Sequence, residues 1–350
     1  MLPAIIGLSG LALTDAERGL IREADPAGFI LFGRNVGDPA QLRALTDSLR
    51  DVSGRADLPI LVDQEGGRVA RLGPPHWPAL PAPWRFAELY RKAPISAIEA
   101  SRVNAQAVAV TLAEMGINVD CTPLLDVRQE DAHGVIGDRS LGAEPMQVAA
   151  LGRAVLDGLE AGGVLGVIKH MPGHGRARAD PHGELPIVDA TEEELAIDLA
   201  PFRALAGAPM AMAAHLLYPA WDPELPASAS PTIVAQVIRG EIGFDGLLLS
   251  DDIGMGALAG LRAERDDPAD DDPYSSAAER VQAVIAAGCD LALHCSGVAA
   301  DNKAVAAALG EMSPAASARL ERALARIFGK VSAQGYEELA AKRDALLAYA

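Results

Sequence analysis

Short apolar runs recur along the chain, each giving way to a longer stretch with helical spacing. In order the runs are AIIGLSG (4–10), GFILFG (28–33), PILVDQ (59–64), INVDCTPLLDV (117–127), GVLGVIKH (163–170), MAMAAHLLY (210–218), GLLLSDD (246–252) and CDLALHC (289–295). They are apolar almost continuously, the pattern of parallel strands covered by helices on both faces. The intervening stretches 39–52, 97–115, 145–161, 191–206, 231–241, 276–287 and 314–329 are rich in alanine, leucine and glutamate at helical periods. Eight strand-then-helix units predict a closed (β/α)8 TIM barrel. The competitor is an open doubly wound sheet, whose nucleotide-binding form needs a glycine-rich turn after its first strand. Neither GxGxxG nor GxxxxGK(S/T) occurs.

Polar residues gather where the predicted strands end: Gly33-Arg34-Asn35, Asp63-Gln64-Glu65, Asp126, Lys169-His170, His215, Asp251-Asp252 and His294. Barrel active sites are assembled at that face, so these positions outline a pocket. Two insertions break the rhythm. GPPHWPALPAPWR (73–85) reads as a rigid loop walling a cleft, and the acidic LRAERDDPADDDPYSS (261–276) as a mobile one. Neither divides the chain, so residues 1–350 read as one barrel domain, with 330–350 a C-terminal helix packed on its outside.

Composition narrows the partners. With 48 acidic against 30 basic residues the net charge is −18, which disfavours nucleic acid and anionic membranes. No apolar segment reaches the roughly 18 residues of a membrane span. The N-terminus lacks the basic start of a leader. Cys121, Cys289 and Cys295 show no CxxC spacing and no paired framework, which suits a reducing compartment. A cytoplasmic monomer acting on a small, neutral molecule is expected.

The stretch KHMPGHGRARADPHG (169–183) concentrates three histidines, a lysine, two arginines and an aspartate. A metal site is one reading, but Pro172 and Gly173 deny His170 and His174 a shared helical face, and HExxH is absent; no metal and no cofactor are expected. An anion site on Lys169, Arg176 and Arg178 is a second. The third is an acid/base catalyst: Asp180, two residues from His182, can bond one ring nitrogen and favour the imidazolium, leaving the other nitrogen to donate a proton. Across the pocket, GLLLSDD ends a buried strand with a carboxylate able to act as nucleophile. Carboxylate nucleophile plus separate proton donor is the arrangement of retaining glycoside hydrolysis, here with histidine in place of the usual second carboxylic acid.

At this point the chain resembles the NagZ-type β-N-acetylglucosaminidases (β-hexosaminidases) of glycoside hydrolase family 3. The likeness runs in order through GFILFGRNV, LVDQEGGRVARL, PLLDV, GVIGDRSLG, VIKHMPGHG, ADPH, MAAHLLYPAWD and GFDGLLLSDDIGM. It implies that Asp251 is the nucleophile, His182 the acid/base and Asp180 its partner, with sugar contacts from Asp63, Arg71, Arg139, Lys169 and His170. Asp252 competes with Asp251, since neighbouring strand residues face opposite ways. The implied substrate is a terminal N-acetyl-β-D-glucosaminyl unit on a peptidoglycan-derived muropeptide or a chitin-like sugar. Met171, Arg176 and Pro181 depart from the Phe, acidic residue and Ser usual in the family, and no second α/β domain of the kind larger relatives carry follows the barrel. A phosphorylase using the same covalent intermediate and a catalytically silent sugar-binding barrel are the alternatives. KHMPGHG, which begins on a strand, is expected to be anchored, and the RARADPHG that follows (176–183) to be mobile, because it has few apolar residues and no evident strand partner.

Overall fold

A computed structural model describes residues 1–129, 134–260 and 276–349. Eight parallel strands close into a barrel: Leu2–Gly7, Pro26–Leu31, Ile60–Val62, Val119–Asp120, Leu165–Met171, Met210–Ala213, Leu247–Asp252 and Leu291–His294. Each strand pairs with its sequence neighbours, and the first closes the ring on the eighth through Ile5 opposite Leu293.

The strands are apolar on both faces because they feed two separate cores. Ile5, Ile30, Leu61, Val119, Leu165, Val167, Met210, Met212, Leu247, Leu249, Leu291 and Leu293 fill the barrel lumen. Ile6, Phe29, Leu31, Ile60, Val62, Ile168, Ala211, Leu248 and Ala292 lie in the larger cluster that packs against the helices. The two sets interleave along every strand, as the two-residue side-chain period requires.

Most predicted helices form within a few residues of their predicted ends, for example Pro39–Ser53 and Pro145–Ala161. The differences have local causes. Helix Asp15–Ala24 was not foreseen, although Thr14 and Glu17 form a capping box that marks its start. The fourth strand is shorter than 117–127: Pro123, with no N–H to offer a ladder, follows it, and beyond that only an isolated bridge joins Leu124 to Lys169. The sixth strand ends at Ala213 and not at residue 218. Of the proposed wall loop 73–85, the last three residues begin helix Pro83–Lys92, with proline at a first-turn position that needs no N–H. Tyr336–Leu347 is the C-terminal helix; its buried Leu339 packs with Val103 and Ala107 of helix Pro94–Glu114. The acidic insertion falls almost wholly, at 261–275, outside the described residues. No described helix is long and apolar enough to cross a membrane.

Asp120 ends the fourth strand in the phase opposite to lumen-facing Val119, and therefore meets the helix layer. It is fully buried; Oδ1 accepts the Gln64 N–H (2.9 Å), while Oδ2 has no partner among the described residues. Burial pushes its carboxyl up to about 8, against the opposing effects of the Gln64 N–H and the Lys169 charge. A folded-state value above the unfolded one means stability present at low pH and lost as pH rises through the folded value. Asp120→Asn is therefore expected to gain on wild type progressively between pH 4 and pH 8 in thermal melts. A melting-temperature difference independent of pH would contradict this.

Candidate active site

The lumen phase of each strand carries on past its apolar residues into polar ones at the carboxyl end. Asp63 continues Leu61, Lys169 continues Leu165 and Val167, and Asp251 continues Leu247 and Leu249. These side chains open into a cleft of about 260 Å³ at the carboxyl ends of the strands. The same cleft is lined by Arg71, Arg139, His170, Asp180 and His182, so all eight residues singled out in the sequence meet in one place.

On one side Lys169 is wedged between two carboxylates. Its Nζ donates to Asp63 Oδ1 (3.1 Å) and lies 2.7 Å from Glu65 Oε1, with only 3% of its side chain exposed. Arg139 holds Glu65 in a two-pronged pair, both bonds 2.7 Å, and Arg71 Nη2 donates to Asp63 Oδ2 at 3.0 Å. Burial by itself would raise both carboxyls and lower the ammonium. The mutual attraction outweighs it, holding Asp63 and Glu65 below the usual carboxylate range and Lys169 above the usual amine range. Two acids and three bases thus present a fixed lattice of charged hydrogen-bond partners to anything in the cleft.

Opposite lies Asp251. Burial would raise its carboxyl, but the neighbouring His170 and His215 and the N–H of Asp252 (2.8 Å) lower it, so it stands ionised at neutral pH. Asp252 is engaged differently: its Oδ1 accepts the N–H groups of Gly254 (2.9 Å) and Cys295 (3.0 Å), which ties the seventh strand end to the eighth. Both aspartates border the cleft, but strand phase places Asp251 in line with the lumen residues Leu247 and Leu249, while Asp252 Oδ1 is tied to two backbone N–H groups. His215, buried beneath, bonds Ser228 Oγ (2.6 Å) through Nδ1 and the Asp252 carbonyl (3.0 Å) through Nε2; the carbonyl requires the hydrogen on Nε2.

The histidine-rich segment has an anchored root and an exposed tip. His170 Nδ1 bonds Asp126 Oδ2 at 2.8 Å, and the His174 N–H donates to Asp126 Oδ1 at 2.6 Å. His174 also lines the cleft; burial and the neighbouring His170 push it down to about 4, so it is neutral at physiological pH. At the tip, Asp180 Oδ1 accepts both the His182 N–H (3.0 Å) and the ring Nδ1–H (2.7 Å). The pair leaves His182 Nε2 free to face a ligand, with 73% of that side chain exposed. The tip also has backbone partners that the sequence pattern did not reveal: Gly256 N–H donates to the His182 carbonyl (3.1 Å) and Ala257 N–H to that of Pro181 (3.0 Å).

One reading of this loop loses ground. Arg176 is turned into helix Glu192–Ala204, where it pairs with buried Asp198 (2.6 Å), and Lys169 is already matched by two carboxylates, so neither is free for an anion. Among the described residues no group of three histidine, cysteine or acidic side chains is placed to hold a metal ion. Sequence reasoning passed over Glu65 and Asp126 as site residues. Both stand at strand ends among the polar positions noted there, but their roles depend on partners about 45 to 105 residues away.

The Glycosyl hydrolase family 3 N terminal domain model matches residues 5–329. The "Beta-hexosaminidase" of Alkalilimnicola ehrlichii is 38% identical over 84% of this chain and 80% of its own length. That of Chromobacterium violaceum is 35% identical over 98% of this chain and 91% of its own. Among solved structures, NagZ from Neisseria gonorrhoeae in complex with N-trifluoroacetyl-D-glucosamine superposes with a TM-score of 0.83 at 28% identity, covering 99% of this chain and 97% of that one.

Lys169→Met removes the charge that compensates Asp63 and Glu65. Because both carboxyls are held low in the folded state, their stabilising contribution exists above the unfolded value and would be lost only as pH falls through the folded one. Without Lys169 the buried carboxylates are left with fewer positive partners. The variant is expected to lose about 3–5 kcal/mol of stability at pH 7, and less at pH 4, where those carboxyls take up protons. Denaturant titrations at the two pH values check this; equal losses would contradict it.

Proposed function

Since the chain belongs to glycosyl hydrolase family 3, we propose that it is a retaining exo-β-N-acetylglucosaminidase that removes terminal N-acetyl-β-D-glucosamine from peptidoglycan-derived muropeptides. At the coarser level it is a glycoside hydrolase of the β-N-acetylhexosaminidase class. The finer reading rests on one observation above all: a single cleft is lined both by a buried, ionised carboxylate on a barrel strand and by a histidine whose Nδ1 is held by an aspartate.

In this reading an Asp251 oxygen attacks the anomeric carbon as the glycosidic C–O bond breaks, and His182 Nε2–H protonates the departing oxygen. The products of the first step are a glycosyl ester on Asp251 and a neutral His182. That ring then takes a proton from water, whose oxygen attacks the same carbon from the opposite face to the ester; two inversions restore the β configuration. Asp180 holds the ring through Nδ1 and stabilises the imidazolium. Asp63, Lys169, Arg71, Arg139 and His170 bind sugar hydroxyls and orient the anomeric carbon, work suited to charged groups already fixed against one another. A cytoplasmic monomer is part of the proposal; the buried free cysteines Cys121, Cys289 and Cys295 suit a reducing compartment.

A neutral histidine repels incoming phosphate less than a carboxylate would, which keeps the phosphorylase alternative within reach of the same scaffold. Release of free N-acetylglucosamine, and not the 1-phosphate, is expected in phosphate buffer. His182→Gln is expected to lower turnover of a disaccharide by about 10²–10⁴-fold, and to spare the first step with an aryl glycoside whose leaving group needs no proton. Comparable turnover by variant and wild type on the disaccharide would remove His182 from this role.

A further inference from the structure

We propose that Asp126 is a positioning residue that fixes the tautomer of His170 and anchors the root of the loop carrying His182. The inference rests on the reading of this cleft as a sugar site. Asp126 lies beyond the short fourth strand and is fully buried. It makes three contacts to one short segment: Oδ1 accepts the backbone N–H of His170 (3.2 Å) and of His174 (2.6 Å), while Oδ2 meets His170 Nδ1 (2.8 Å). Burial would raise its carboxyl, but the adjacent His170 and His174 draw it down to about 2, so it is ionised at neutral pH and can only accept.

An acceptor facing Nδ1 determines where the ring hydrogen sits. Nδ1 must carry it, so Nε2 is the nitrogen turned to the cleft, and whenever the ring holds a single hydrogen Nε2 is an acceptor fit to take one from a sugar hydroxyl. The same carboxylate sets the path of the chain beyond. Tyr218 Oη donates to the Gly173 carbonyl (2.7 Å), and at Gly175 an added Cβ would stand 1.9 Å from the Val127 carbonyl oxygen, so residues 170–175 wrap closely about Asp126 and Val127. The direction in which the chain leaves for Asp180 and His182 is set at this wrap. One buried charge thereby joins a glycone contact to the placement of the proton donor, a link that neither residue's sequence neighbourhood reveals.

Asp126→Asn tests this with little change of shape. The amide oxygen still accepts backbone N–H groups, but the amide nitrogen facing Nδ1 donates, which forces the hydrogen onto Nε2. The experiment is nitrogen-15 NMR of the histidine rings, with His170 assigned by loss of its signal in His170→Gln, alongside kinetics on a chromogenic N-acetyl-β-glucosaminide. Wild type is expected in the Nδ1–H form and Asp126→Asn in the Nε2–H form. The variant's kcat/KM should fall about 10- to 100-fold, the scale of one charge-assisted hydrogen bond, and adding His170→Gln should cost little more. A wild-type ring in the Nε2–H form overturns the proposal even if the variant fails to fold, as does a variant whose tautomer and kinetics match wild type. Absence of wild-type turnover with the expected tautomer would instead count against the sugar-cleaving reading and leave the positioning contact standing.

Discussion

In a closed parallel barrel each strand side chain has two destinations, the lumen or the helix layer, and adjacent residues must take opposite ones. The site follows from that constraint. Leu61, Val167 and Leu249 fill the lumen, so Asp63, Lys169 and Asp251, each two residues further on, emerge at its mouth. Asp120, in the other phase, is carried into the helix layer, where burial keeps its proton on to about pH 8. Asp252, one residue past Asp251, borders the same cleft but ties its Oδ1 to the backbone N–H groups of Gly254 and Cys295. The same chemical group is thus made into a presented carboxylate, a buried acid and a structural tie by position alone.

Crowding such charges at the mouth of an apolar core is tolerable only if each is matched. Lys169 between Asp63 and Glu65, Arg139 on Glu65 and Arg71 on Asp63 form a chain in which every buried charge has an opposite within hydrogen-bond reach. Such a lattice is formed before any ligand enters, which is what orienting a saccharide requires. The proposed proton donor is arranged otherwise. His182 sits on an exposed tip held by Asp180 and by two backbone bonds from Gly256 and Ala257, while the root of its loop is fixed by Asp126. A rigid binding wall and a separately supported acid/base suit a reaction in which one group attacks while another first gives and then takes back a proton.

Much of this was legible in the sequence because strand ends are local features. The eight apolar runs, the polar residues that follow seven of them and the D-x-H triplet are each read from a few neighbouring positions. Glu65 and Asp126 were less legible, because what they do is defined by Arg139, Lys169, His170 and His174, distant in sequence and brought near only by the closed ring. Helix Asp15–Ala24 escaped because it is short and polar overall, with few apolar residues, so its clearest signal was a cap, Thr14 with Glu17. The choice between Asp251 and Asp252 was open in the sequence. It narrows once the lumen assignments of Leu247 and Leu249 fix the phase of their strand.

That phase is the central claim, and covalent trapping measures it directly. The protein is incubated with an activated, fluorinated N-acetylglucosaminide that forms the glycosyl ester quickly and loses it slowly, then digested and sequenced by mass spectrometry. The added sugar mass is expected on Asp251. Label on Asp252, or no covalent adduct while turnover of the parent substrate proceeds, would contradict it.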